Sequence, residues 1–314
     1  MLSDKELKEI IGKIMNEIEV GKNVAPIQGV NKTSETSKIE SGKLKDIGAI
    51  NIKDQMLVDN PENRDEYMKL KQKTSARLGI GRAGSRFKTD VLLRFRADHA
   101  AAQDAVFNDV PKEFLEEIGL SEVTSECESR DQYITRPDLG RKIGEEGIKI
   151  INEKCKKNPT IQIVISDGLS STAVEANAKN ILPALENGLK GYGIDAGTTF
   201  FIKYGRVGSG DHVGELVNAD VVCMLIGERP GLTTAESMSA YITYKAHVGI
   251  PEAKRTVVSN IHKDGTPSSE AGAHVATLIK KILDAKAQNA YLVIFQKNIE
   301  FNIETSFSQG ETFE

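Results

Sequence analysis

Apolar positions along the chain follow three successive rhythms. In residues 1–20, Leu7, Ile10, Ile11, Ile14, Met15 and Ile18 recur at helical spacing and form one stripe, with Lys8, Glu9, Lys13 and Glu17 on the remaining surface. Ser3 and Glu6 spell a capping box and Leu2 with Leu7 a hydrophobic staple, so an amphipathic helix is expected. Residues 21–44 are rich in Gly, Ser, Thr, Asn and Lys, contain Pro26 and have too little apolar content to pack, which is linker composition. A helix on such a tether suits docking into a partner's groove, with capping of a homo-oligomer core as the alternative.

Residues 45–157 read as a mainly helical docking region. Val91 to Phe95 open a helix-like run that continues through the alanine-rich residues 97–106, and Pro111 and Gly119 punctuate it. Ile143, Ile148, Ile150 and Ile151 predict a helix over 138–156, stopped by Asn158-Pro159. From 158 to 287 the pattern changes to short apolar runs, at 161–165, 199–204, 221–226, 241–244 and 256–259, alternating with helical stretches at 172–190 and 269–286. That alternation predicts an α/β fold: a Rossmann-like (flavodoxin-like), mostly parallel sheet covered on both faces, preceded by the helical region and the tethered helix. Residues 288–314 continue past the last helix with Phe295, Phe301, Phe307 and Phe313 evenly spaced, and carry no assigned function.

Composition narrows the function classes. A length of 314 residues, 27% of them charged, with a net charge of -4, gives no basic footprint for nucleic acid. The three cysteines, Cys127, Cys155 and Cys223, are far apart and lack C-x-x-C spacing, which argues against disulfides or zinc and for a reducing, cytoplasmic setting. No apolar run approaches the ~20 residues that span a bilayer, and no secretory core opens the chain.

In a parallel sheet the ligand crevice lies beyond the carboxyl ends of the strands. Four loops are expected there: Ser166-Asp167-Gly168 with Ser170, Gly205-Arg206-Val207 with Gly208, Gly227-Glu228-Arg229-Pro230-Gly231, and Asn260-Ile261-His262 with Gly265. Glycine lets a bulky ligand approach the backbone while Ser, Asp and Asn supply adaptable hydrogen bonds, so this rim suits a large amide-decorated ligand. Taken singly, Asp167-Gly168 and Pro230-Gly231 are ordinary turn dipeptides. The G-x-G-x-x-G at Gly79 to Gly84 follows a Lys-rich helical pattern rather than a strand and is not read as a dinucleotide site. No G-x-S-x-G elbow or H-E-x-x-H occurs, so hydrolase chemistry has no starting residue, and no catalytic or metal-ligating residue is assigned.

These blocks, together with Leu92-Leu93-Arg94-Phe95, Ala97-Asp98-His99 and Thr135-Arg136-Pro137-Asp138, resemble the small (light) subunit of ethanolamine ammonia-lyase over about residues 60–287. The resemblance implies a subunit of a carbon-nitrogen lyase that is inactive without a large TIM-barrel subunit. Adenosylcobalamin would lie between the two, and a radical reaction would convert ethanolamine to acetaldehyde and ammonia. By matched position it implies cofactor contacts at Val207 and Glu228, and at Val258, where the family has Cys; Ser166, Asp167, Gly168, Arg206, Arg229, Pro230 and Asn260 complete the expected cofactor-binding rim. Cobalamin proteins that give the cobalt a histidine share D-x-H-x-x-G, which is absent here, so the cofactor is expected base-on with no cobalt ligand from this chain. The family's packaging implies that residues 1–20 dock in a bacterial microcompartment. Two competing readings are a flavodoxin-like module for a phosphate-bearing ligand and a microcompartment adaptor without cofactor.

Overall fold

A computed structural model describes residues 46–286, so the expectations for residues 1–20, 21–44 and 288–314 lie outside the described residues. The described part opens with a 3-10 turn (Ile52–Asp54), then helix α1 (Arg64–Gln72), a two-residue ribbon of β1 (Arg82–Ala83) against β2 (Arg86–Phe87), and helices α2 (Thr89–Phe107) and α3 (Lys112–Glu117). Next come β3 (Ser121–Thr124), α4 (Arg130–Thr135), a 3-10 turn (Leu139–Arg141) and α5 (Glu145–Lys154). The remainder is β4 (Ile161–Ser166), α6 (Ser171–Gly191), β5 (Phe200–Lys203), α7 (Ser209–Val217), β6 (Val221–Gly227), β7 (Met238–Tyr244), β8 (Thr256–Ile261) and α8 (Ser268–Ala285).

Strands β3 to β8 form one sheet in the order β3-β5-β4-β6-β7-β8. The first four run parallel, β7 is antiparallel to β6, and β8 is antiparallel to β7, which returns it to the direction of β6. The sequence dictates this burial. Every residue of β4 and β6 is buried, the signature of strands covered on both faces. Alternation then sorts the side chains: Ile161, Ile163, Ile165, Val221, Cys223 and Leu225 pack with α6 and α8, whereas Val164, Val222, Met224 and Ile226 pack with α5 and α7. Gly188 of α6 lies against Ala276 of α8, and Gly272 of α8 against the Ile181 carbonyl, which brings the two helices close.

Three departures from the periodicity have physical causes. The expected helix over 138–156 is split, because Gly144 donates its N–H to Thr124 O at 3.0 Å and the Ile143 N–H is taken by His212 Nδ1 at 3.0 Å, so α5 starts only at Glu145. Strand β3 lies inside the span read as helical; it is four residues long with only Val123 fully buried, too short to show alternation. Helix α7 grows out of what reads as a glycine-rich loop and ends at Asn218 in a left-handed conformation, φ 55°. The G-x-G-x-x-G segment sits around the β1–β2 ribbon, which leads into α2 without the buried strand a dinucleotide fold requires.

Candidate functional site

The directions of the strands bring the ends of β4, β5, β6 and β8 to one edge of the sheet, so the four glycine-bearing loops share one rim. Within that rim the expected residues separate into a buried clamp and an open cavity.

The clamp joins the ends of β4 and β5. Asp167 is fully buried; its Oδ1 accepts the Tyr204 N–H at 2.9 Å and its Oδ2 accepts from Arg130 Nη2 at 2.8 Å. Burial lifts the Asp167 pKa to about 6, against the downward pull of Arg130. The Arg130 guanidinium also donates to the Gly168, Asn108 and Asp109 oxygens and lies 4.7 Å from the Tyr204 ring centroid. Ser166 Oγ accepts the N–H of Gly205 at 3.1 Å. Arg206 stacks 4.3 Å from the Tyr133 ring and donates to the Tyr133 carbonyl at 2.8 Å. Ser166, Asp167, Gly168 and Arg206 thus help to hold these loops in place, and Arg206 Nε is buried without a hydrogen-bond partner.

Gly168 shows how tight that arrangement is. Its φ is 52°, and a Cβ there would lie 2.3 Å from the Gly227 carbonyl oxygen. At this point the loop after β4 meets the end of β6 too closely for any side chain, which only glycine permits.

The cavity lies at the ends of β6, β7 and β8. Its volume is about 390 Å³, and Glu228, Arg229, Ser237, Ser239, Ser259 and Asn260 line it. The Glu228 carboxylate accepts a hydrogen bond from the Tyr241 hydroxyl at 3.0 Å, and burial together with Glu228 pushes the Tyr241 pKa to about 12, so the phenol stays a neutral donor. Ser239 Oγ is buried and has no hydrogen-bond partner. A buried hydroxyl in that state costs about 1–3 kcal/mol.

Glu228, Arg229 and Asn260 are brought together here, with Pro230 on the same turn. Val258 is half-buried and packs against the α6–α8 side of the core, so its side chain is engaged in packing, and Val207, at the entry to α7, packs against the opposite core. Ser239 and Tyr241 belong to a strand that the sequence reading begins only at Tyr241, and Arg130 stands 37 residues before its partner Asp167; no local pattern links them. His262 Nδ1 accepts the Asp264 N–H at 3.3 Å. Among the described residues no three His, Cys, Asp or Glu side chains are arranged to hold a metal ion, and no helix is long and apolar enough to cross a membrane.

Comparison with known proteins gives one result. The family model of the ethanolamine ammonia-lyase light chain (EutC) matches residues 64–292. The ethanolamine ammonia-lyase small subunit of Fusobacterium nucleatum is 59% identical over 290 residues, covering 91% of this chain and 98% of that protein. Those of Clostridium tetani and Listeria monocytogenes are 55% and 49% identical, with the same shares covered.

Proposed function

This chain belongs to the ethanolamine ammonia-lyase light-chain family, and from that premise we propose that it is the small subunit of an adenosylcobalamin-dependent enzyme that converts ethanolamine to acetaldehyde and ammonia, active only with a large subunit. The observation that supports the reading is the strand-end cavity, lined by the polar side chains of Glu228, Arg229, Ser237, Ser259 and Asn260. A corrin periphery and nucleotide tail present amides and hydroxyls, the groups such a wall can pair. When bound, adenosylcobalamin supplies the radical chemistry.

The work of this chain's own residues is to bind, orient and exclude water. Glu228, fixed by Tyr241, accepts hydrogen bonds at one side of the cavity; Asn260 and Ser259 offer both donors and acceptors; Arg229 is exposed at the mouth. The clamp of Asp167, Arg130 and Tyr204 keeps the neighbouring loops at a fixed height, so the site is positioned before the cofactor arrives. A cavity of about 390 Å³ holds part of so large a cofactor and leaves the rest for the partner subunit. Val207 and Val258 contact it through backbone or the edge of the side chain, because both side chains pack against the cores. No side chain of this subunit is assigned as a ligand of the cobalt. The substrate is held by the partner, and residues 1–20 address the enzyme to a bacterial microcompartment in the cytoplasm.

The test is co-expression with the large subunit, with cobalamin retention and acetaldehyde formation measured. Glu228→Ala is expected to weaken retention by about tenfold, the worth of one strong hydrogen bond, while leaving the unfolding midpoint nearly unchanged. Retention equal to wild type would remove Glu228 from the site.

A further inference from the structure

A second cavity adjoins the first across the loop that follows β6. Its volume is about 610 Å³, and it lies between the segment around residues 48–53, the end of α1 with the turn after it, and the loop tips at Leu232 to Thr234 and at His262 and Asp264. Five cationic side chains line it, Lys53, Lys71, Lys73, Arg77 and Arg94, against the one carboxylate of Asp264. Arg77 and Arg94 share the Asp98 carboxylate behind the wall, at 2.7 and 2.9 Å, so a single negative charge answers both.

Lys71 is the anomaly. It is 2% exposed, and its Nζ donates to the Leu78 carbonyl at 2.6 Å. Among the described residues no carboxylate pairs with it. A buried ammonium held by a carbonyl alone is unfavourable, because a dipole does not replace the hydration of a full charge. Burial lowers its pKa accordingly. A core-facing helix position satisfied by packing would take Met or Leu; a lysine there calls for an anion.

We propose that this cavity is a binding site for a phosphate-class anion, with Lys71 as its buried counter-charge and Lys73 and Lys53 closing over it. Arg77 sets the geometry: its Nη2 donates to the Leu232 carbonyl at 2.5 Å, which ties the floor of the anion site to the loop bearing Glu228. Two sources share the chemistry, the phosphodiester in the nucleotide tail of a cobalamin and a free phosphate-bearing small molecule; the first deepens the reading above, the second is independent of it.

The test uses the full chain and inorganic phosphate at constant ionic strength, read by thermal unfolding and by 31P NMR line broadening. Phosphate is expected to raise the wild-type midpoint by a few degrees, through preferential binding to the folded state. Lys71→Met, which keeps length and removes charge, is expected to raise the phosphate-free midpoint and to abolish the phosphate response; a lysine that served only the fold would lower the midpoint instead. Lys73→Ala, at an exposed position, is expected to leave the basal midpoint alone and weaken phosphate about tenfold. Absence of any wild-type response, or a response that both variants retain, overturns the proposal.

The two sources are separated in the complex with the large subunit. Phosphate that competes with cobalamin but not with cobinamide, which lacks the nucleotide tail, identifies the cofactor's phosphodiester. Phosphate that competes with neither identifies a free anion. Cobalamin retention by the wild-type complex reports on the proposed function whatever Lys71 does.

Discussion

Removing the Arg130 guanidinium isolates the energetics of the loop clamp. In Arg130→Met the aliphatic stem is kept, while Asp167, fully buried, loses its counter-charge, and the Gly168 and Asn108 carbonyls lose a donor. Breaking a buried pair from one side costs about 3–5 kcal/mol, most of it the uncompensated charge. For a domain of this size that corresponds to a midpoint about 10 °C lower. The loss has a pH signature. Asp167 titrates at about 6 when folded against 3.8 for the ordinary carboxyl, so the folded state binds more protons between those values, and stability from this group is present below about pH 4 and lost as pH rises through about 6. Without Arg130 the folded pKa rises further, so the deficit of the variant is expected to be largest near pH 8 and to shrink near pH 4.5. Urea unfolding followed by circular dichroism at the two pH values measures it. In the double variant with Asp167→Asn more than half of the loss at pH 8 should return. A deficit under about 1 kcal/mol, or one equal at both pH values, would refute the account of a charge clamp.

Other outcomes follow from single contacts. Ser239→Ala removes the orphaned hydroxyl and is expected to stabilise the isolated chain by about 1 kcal/mol in urea titration. Gly168→Ala places a Cβ 2.3 Å from the Gly227 carbonyl at a positive φ; a loss of about 3 kcal/mol or poor folding is expected, and an unfolding midpoint within 2 °C of wild type would contradict the close approach of the two loops. Deletion of residues 1–20 is expected to leave lyase activity intact and abolish encapsulation, as scored by co-localisation with shell proteins.

The chain's own pattern determined the layers. The short apolar runs at 161–165 and 221–226 suit doubly covered strands, and the long periodic runs around 91–106, 172–190 and 269–286 suit helices, so the strand-end rim and its loops were legible from spacing. The family blocks lay in those same loops. Tertiary structure decided what local pattern does not encode. The order of the strands put the ends of β4 and β5 next to each other, where Arg130 holds Asp167 and Tyr133 holds Arg206 across long sequence separations, while Glu228 and Asn260 are left at a cavity. Burial of the Lys71 ammonium and the Ser239 hydroxyl without full partners likewise depends on what the fold stacks around them. A lysine in an amphipathic helix and a serine in a strand look ordinary in sequence, because desolvation is a property of the packed neighbourhood rather than of the residue.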